Sequence, residues 1–343
     1  RPLIADPEIV NKFKAGQGFA ATACIACNQE CIGRVEKNLP ISCVVNPEVG
    51  MEERWLQIRQ NLKPSKKVLV IGGGPAGMSA ALSAEKSGHQ VTLIEAGSAL
   101  GGQVAIASTL KMRSRLGLVT EQLSEKVLLS SIELKLNTFV TNVEDYLNIY
   151  DKIIVATGST HLKRDFGSKL PTLNAIEAIE KYRGVVATKN EIVAIFDEEG
   201  TWVAASIAEE LANNGFQIHL LSPTASLFSQ ITIYSRLALI PRLKKLGVKF
   251  HLASEITLND GEPVIKSSIN DEVVDISDAL LIIDCPPKRS NDLLYQDAPL
   301  TQSEEVLLIG DALAPRTIAE ATFEGNAVGA FLDLDLALRS LEH

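Results

Sequence analysis

The sequence predicts an α/β fold: two Rossmann-like dinucleotide-binding-type domains, one inserted in the other, behind a small irregular segment. Three observations carry this expectation. Strands rich in Val, Ile and Leu alternate with helix-length segments, the pattern of parallel sheets with helical crossovers. A strand–loop–helix–strand unit at 67–95 recurs about 120 residues later, at 191–222. Four of the five cysteines, Cys24, Cys27, Cys31 and Cys43, form one C-x2-C-x3-C-x11-C run ahead of the first glycine loop.

Each element can be justified in order. Residues 1–20 read as a loop and short helix with Gly16 and Gly18 as breakers. Residues 24–50 hold the cysteines with Pro40, Pro47 and Gly50 and show little periodicity, so their side chains can converge from a loop. MEERWLQIRQNL (51–62) has helical composition. VLVIGGGPAGMSAALSAEKSG is strand, turn and helix, and VTLIEAG is the next strand. IELKLNTFV, KIIVATG, EIVAIF, QIHLLSP, VKFHLASEI, ALLIIDC and VLLIGDALAP follow as strands, with ASIAEELANNG a helix among them. AEATFEGNAVGAFLDLDLAL closes the series as a long helix.

The chain of 343 residues is long enough for two or three domains with proper cores. A net charge of −9 argues against nucleic acid or an anionic membrane surface as partner. No apolar run is long enough to span a bilayer. Clustered cysteines in a chain of this size point to metal binding in a reducing, cytoplasmic setting, not to a disulfide framework. The chain opens without Met at RPLIADPE, which reads as the middle of a longer protein. Leu341-Glu342-His343 reads as the start of a tag.

Two motifs carry chemistry. Gly72, Gly74 and Gly77 fit G-x-G-x-x-G, with Pro75 and Ala76 opening the helix. The first glycine allows a tight turn, the second lets a pyrophosphate approach the backbone, and the third lets helix and strand pack closely. Glu95, at the end of the next strand, is placed to accept hydrogen bonds from an adenosine ribose. The cysteines offer four soft thiolates. Zinc is the competing reading, but structural zinc favours two separated C-x2-4-C knuckles. Three close cysteines and one distant one fit a 4Fe–4S cluster better. Cys285 reads as an unreactive strand-end residue, and the five histidines form no motif.

The second unit is informative by what it lacks. Where glycines should follow EIVAIF stand Asp197-Glu198-Glu199-Gly200-Thr201-Trp202. Three carboxylates there oppose a phosphate, so this domain is expected to have lost NAD(P). No hydrolytic triad or paired acid/base is evident.

These residues resemble the iron–sulfur flavoproteins of the trimethylamine dehydrogenase and 2,4-dienoyl-CoA reductase family, and the resemblance extends to about residue 338. It rests on RPLIADPE, CIACNQEC with Cys43, GGGPAGM, Glu95, LGGQ, VATG and GDALAPRTIAEATFEG. Such proteins join an old-yellow-enzyme-like barrel carrying FMN to an iron–sulfur segment and two dinucleotide-type domains. The resemblance implies a 4Fe–4S cluster on Cys24, Cys27, Cys31 and Cys43. It implies FAD or ADP in the first site, with Gly102, Gln103, Thr157, Gly158, Gly310 and Asp311 adding to the glycine loop, and Asp311 on the ribityl chain if FAD is present. KMRSRLGLV departs from the Pro-Gly that several members carry after GGQ.

The implied domains are 1–62, an iron–sulfur segment and linker from an absent barrel; 63–162 with 291–340, the FAD/ADP domain; 163–290, a degenerate NAD(P)-type domain; and the tag remnant 341–343. The expected function is electron transfer in a multicofactor oxidoreductase of amine dehydrogenase or N-demethylase type. Electrons would come from the FMN barrel of the same longer protein and leave to an electron-transfer flavoprotein or similar acceptor. No residue of this chain is expected to be catalytic. FMN belongs only to the barrel, and a homo-oligomer is compatible with the reading. An NAD(P)H-dependent dienoyl-CoA or enoate reductase module and a non-redox ADP-binding module are the alternatives.

Overall fold

A computed structural model describes residues 1–60, 64–298 and 305–333. The chain divides into two compact units. Unit 1 comprises 1–105, 115–159 and 290–343, and unit 2 comprises 106–114 and 160–289. Unit 2 is thus an insertion within unit 1.

Unit 1 is built on a five-stranded parallel sheet of order β13-β4-β1-β2-β3. Its strands are β1 Lys67–Ile71, β2 Gln90–Ile94, β3 Glu133–Lys135, β4 Lys152–Val155 and β13 Val306–Leu308. Both faces are covered, so β1 and β4 read as continuous apolar runs. One face packs Val68, Val70, Leu93 and Ile154 against helix α1 (Pro75–Lys86). The other packs Leu69, Ile71, Ile153 and Val155 with Val143 and Ala312. Helices α2 (Gly117–Leu129) and α4 (Ile318–Phe331) complete this unit.

Two glycines set the spacing of α1 and α4. A Cβ at Gly325 would lie 2.3 Å from the Ala76 carbonyl oxygen, and one at Gly329 would lie 2.3 Å from that of Ala80. The rest of the expected closing helix, beyond 333, and the tag at 341–343 lie outside the described residues. So do residues 61 and 62 of the helix expected at 51–62, which is described as Glu52–Gln60.

Unit 2 repeats the parallel architecture in the order β5-β12-β6-β7-β8. The strands are β5 Thr172–Asn174, β6 Ile192–Asp197, β7 Gln217–Leu221, β8 Lys249–His251 and β12 Leu281–Cys285. Helix α3 (Trp202–Asn213) packs Ala204, Ala208 and Leu211 onto Val193, Ile195 and Leu220. VKFHLASEI does not form one strand. Ala253 adopts φ 46°, which ends β8 and starts β9 (Ser254–Asn259). β9 pairs antiparallel with β10 (Glu262–Ser267), and β10 with β11 (Val273–Asp275). Asp260 and Gly261, at φ 50° and 84°, make the hairpin turn. Among the described residues no helix is long and apolar enough to cross a membrane.

β7 and β8 bring two histidines together. His219 and His251 stack at 5.1 Å and 14°, with Nε2 of His251 3.2 Å from Nδ1 of His219. His219 is 4% exposed. Burial, then His251 and Lys249, push its pKa down to about 4. The unfolded chain therefore binds more protons in the window between the ordinary value and about 4. Stability is held above that window and lost as pH falls through it. Denaturant titrations should show about 2 kcal/mol less stability near pH 5 than near pH 7 from this residue. His219→Gln should flatten the slope accordingly, and an unchanged slope would refute the assignment.

Candidate functional site

The glycine loop of unit 1 divides its labour. Gly72 adopts φ 111°, and a Cβ there would lie 2.3 Å from the Ala156 carbonyl oxygen. A Cβ at Gly77 would lie 1.8 Å from the Gly72 oxygen. Both positions therefore serve the close passage of β1, β4 and α1. Gly74 differs. It is the N-cap of α1, makes no side-chain cap, and a Cβ there meets nothing within 4 Å. Pro75 and Ala76 then start the helix, with Pro where no N–H is needed. The positive end of a 12-residue helix is left without a side-chain acceptor beside open space, an arrangement suited to a phosphate.

The other expected residues collect near this end. Glu95 folds back on the loop: Oε2 accepts from the Gly73 N–H and Oε1 from the Gly97 N–H, each at 2.6 Å. Gly102 adopts φ 54°, and a Cβ on it would sit 3.3 Å from the Gly74 Cα. Gln103 Nε2 donates to the Ser159 carbonyl at 2.6 Å and to its Oγ at 3.1 Å. Ser159 Oγ donates to Asp311 Oδ2 at 2.8 Å, and the Arg316 N–H donates to Asp311 Oδ1 at 3.0 Å. A Cβ at Gly310 would stand 2.7 Å from the Ala76 Cβ, which places Asp311 beside the first turn of α1. Thr157 Oγ1 donates to the Asn291 carbonyl, and Gly158 turns the chain at φ 77°.

Sequence reasoning missed Ser159, Arg316 and Glu324. Buried Glu324 accepts from the Gly310 N–H at 2.8 Å and pairs with Arg316, so it fixes the turn that presents Asp311. Burial pushes its carboxyl up, while the Gly310 N–H and Arg316 oppose that shift.

The cysteines form a second cluster in unit 1. Ala26 and Asn28, at φ 56° and 58°, coil the loop between Cys24 and Cys31. Backbone N–H groups point at sulfur: Ala26 to Cys24 at 3.4 Å, Gln29 to Cys27, and Val45 and Asn46 to Cys43. Burial and then the neighbouring thiols of Cys31, Cys43 and Cys24 push Cys27 up to about 11. Cys43 is pushed up mainly by burial, with Cys24 and Cys31 adding to it. The four thiols thus feel one another. Asn28 Oδ1 is buried beside them without a partner. Among the described residues, no three His, Cys, Asp or Glu side chains are placed to hold a single metal ion.

In unit 2 the equivalent helix end is closed by its own side chains. Asp197 Oδ1 accepts from the Gly200 N–H at 2.9 Å, and Thr201 Oγ1 caps the Val203 N–H at 3.3 Å. Glu199 takes the Lys288 N–H at 3.2 Å, and Glu198 pairs with Arg164 at 2.7 Å. Arg164 also grips the fully buried Asp284 through Nε and Nη2. The negative field is therefore weaker than three bare carboxylates would give. Burial, then Glu199, push Asp197 up to about 7 against the Gly200 N–H.

Trp202 opens α3, and the Arg113 guanidinium lies over its ring at 3.6 Å. Glu209, 2% exposed at its side chain, holds Arg242 at 2.8 Å and Arg113 at 3.9 Å. The KMRSRLGLV departure thus supplies a cation to this unit. Cys285 is fully buried, as a strand-end residue should be.

Comparisons with known proteins agree with this geometry. The model of the family described as pyridine nucleotide-disulphide oxidoreductase matches residues 66–309. The chain is 33% identical to an NADH oxidase of Thermoanaerobacter brockii, over 75% of this chain and 40% of that protein. It is 26% identical to a dimethylamine dehydrogenase of Hyphomicrobium sp. (strain x), over 95% of this chain and 50% of that protein. The solved histamine dehydrogenase from Rhizobium sp. 4-9 superposes with a TM-score of 0.84 at 28% identity, covering 97% of this chain and 54% of that one. The chain spans about 40% of the length of the first curated relatives it matches.

The contrast among the glycines gives a test. Gly74→Val adds bulk only where the loop is open, so the protein should fold. A bound dinucleotide should fall at least tenfold in retention, read as nucleotide released per chain on denaturation. Gly77→Ala should instead cost stability, by about 1–3 kcal/mol or more. Full nucleotide occupancy in Gly74→Val would contradict the assignment.

Proposed function

Because the chain belongs to the pyridine nucleotide-disulphide oxidoreductase family, we propose that it is the electron-transfer region of a multicofactor flavin and iron–sulfur oxidoreductase. One observation carries the proposal. Four mutually interacting thiols, met by backbone N–H groups, share unit 1 with an uncapped helix end ringed by the flavoprotein-type residues.

The donor set fits the groups the family implies. Sulfurs around a single tetrahedral zinc lie about 3.8 Å apart, from Zn–S bonds of about 2.3 Å. A cube of four irons needs a wider set, and the thiols interact without forming a single-ion site. When bound, a 4Fe–4S cluster supplies a one-electron carrier, and a flavin supplies exchange between one- and two-electron chemistry.

The chain's own residues bind and orient. Cys24, Cys27, Cys31 and Cys43 would ligate the cluster, and the N–H groups of Ala26, Gln29, Val45 and Asn46 would stabilise charge on sulfur. The α1 end at Gly74–Gly77 would take the pyrophosphate, and Glu95 the ribose. Gln103 and Asp311, fixed through Ser159 and Arg316, offer polar atoms beyond those ADP needs, so FAD is the fuller fit. An FMN barrel of the same longer protein would supply electrons, and an electron-transfer flavoprotein or similar acceptor would remove them.

The second reading is an NAD(P)H-dependent reductase module, favoured by the likeness to an NADH oxidase. The self-capped, Trp-filled helix end of unit 2 opposes it.

Anaerobic reconstitution tests the proposal. About four iron and four sulfide per chain, with about one flavin, are expected. Cys27→Ala should lose the broad visible absorption of the cluster while keeping the flavin. Stoichiometric zinc without iron, or a protein that retains neither flavin nor ADP, would overturn it.

A further inference from the structure

We propose that Gln122 is a positioning residue for the cysteine loop: its amide pairs with Ala23 and fixes the register of the strand-like stretch that carries Cys24 and Cys27. The proposal rests on the four-cysteine reading above and deepens it.

The contacts are specific. Gln122 projects from the second turn of α2. Its Oε1 accepts from the Ala23 N–H at 2.6 Å, while Nε2 lies 3.5 Å from the Ala23 carbonyl and donates to the Leu118 carbonyl at 2.6 Å. A primary amide that meets both the donor and the acceptor of one peptide residue does what a neighbouring β-strand would do. Residues 22–28 have no strand partner of their own. Ala23 therefore relies on this side chain to satisfy its backbone.

The adjoining residues are held from the same side. Lys126, one turn further along α2, donates to Thr22 Oγ1 at 3.2 Å. Arg115, just before α2, donates to the Cys24 carbonyl at 2.8 Å. Three consecutive residues, Thr22, Ala23 and Cys24, are each tied to a polar side chain at or beside α2. On the far side of the loop, Thr322 of α4 donates to the Val44 carbonyl at 2.8 Å, next to Cys43.

Apolar packing does not take over this task. Beneath these contacts lies a cavity of about 40 Å³, lined by Val44, Val119, Gln122, Lys126 and Thr322. It is large enough for water. A seam with space in it is not locked by close packing, so directional bonds set where the loop sits. Loss of the Gln122 amide leaves the Ala23 N–H without its acceptor and lets the first two ligands shift against the other two.

The experiment uses the anaerobically reconstituted protein and compares Gln122→Leu with Gln122→Glu, which keeps the acceptor for Ala23. The readouts are the rate of iron release to a ferrous chelator, the electron paramagnetic resonance line shape of the reduced cluster, flavin content and the thermal midpoint. Gln122→Leu should release iron about tenfold faster, the equivalent of about one hydrogen bond. Its lines should broaden, with flavin content and midpoint unchanged. Gln122→Glu should return release toward the wild-type rate. Wild-type release kinetics in Gln122→Leu, or parallel loss of flavin, would overturn the assignment. A wild-type protein that takes up no iron would overturn the four-cysteine reading itself.

Discussion

Unit 1 depends on the passage of bare backbone past bare backbone along α1. Gly77 faces the Gly72 carbonyl, and Gly325 and Gly329 of α4 face the carbonyls of Ala76 and Ala80, all at distances that exclude a Cβ. Ser83 Oγ, donating to the Asn326 carbonyl at 2.6 Å, anchors the far end of the contact. This approach has two consequences. It brings Gly310, and so Asp311, against Ala76 at the helix end where a phosphate would sit. It also carries the start of α4 to the cysteine segment, where Thr317 meets Gln29 and Thr322 meets Val44. One helix contact therefore serves both candidate cofactor sites.

The two units share an architecture and differ at one helix end. In unit 1 the glycines leave α1 without a side-chain cap. In unit 2 the first donors of α3 are answered by Asp197 and Thr201, and Trp202 with Arg113 fills the space. A helix N-terminus attracts an anion only while its donors are free. Charge repulsion plays a smaller part than the sequence suggests, because Glu198 is paired and Asp197 sits near neutrality. Steric filling and internal capping close that end.

Most of the architecture was legible in the sequence because it is local. The apolar runs of β1, β4, β6 and β12 announce buried parallel strands, and the spacing of Gly72, Gly74 and Gly77 announces the turn they make. The cysteine spacing announces a shared centre for the same reason. What escaped depends on partners distant in sequence. Glu324 and Ser159 matter only because folding brings them to Gly310 and Asp311. Arg164 and Arg113 compensate carboxylates that looked unpaired in the chain. The break at Ala253 is a backbone conformation that composition does not reveal, although Asn259-Asp260-Gly261 was a readable hairpin signal for the small antiparallel sheet.

The central claim is that unit 1 is the dinucleotide site and unit 2 takes no nicotinamide nucleotide. It is tested most directly by calorimetric titration of NADH and NADPH into the cofactor-loaded protein, with the flavin absorbance followed in parallel. The account predicts no heat beyond dilution and no bleaching with either nucleotide. Micromolar dissociation constants accompanied by flavin bleaching would contradict it and place the chain with the NAD(P)H-dependent reductases.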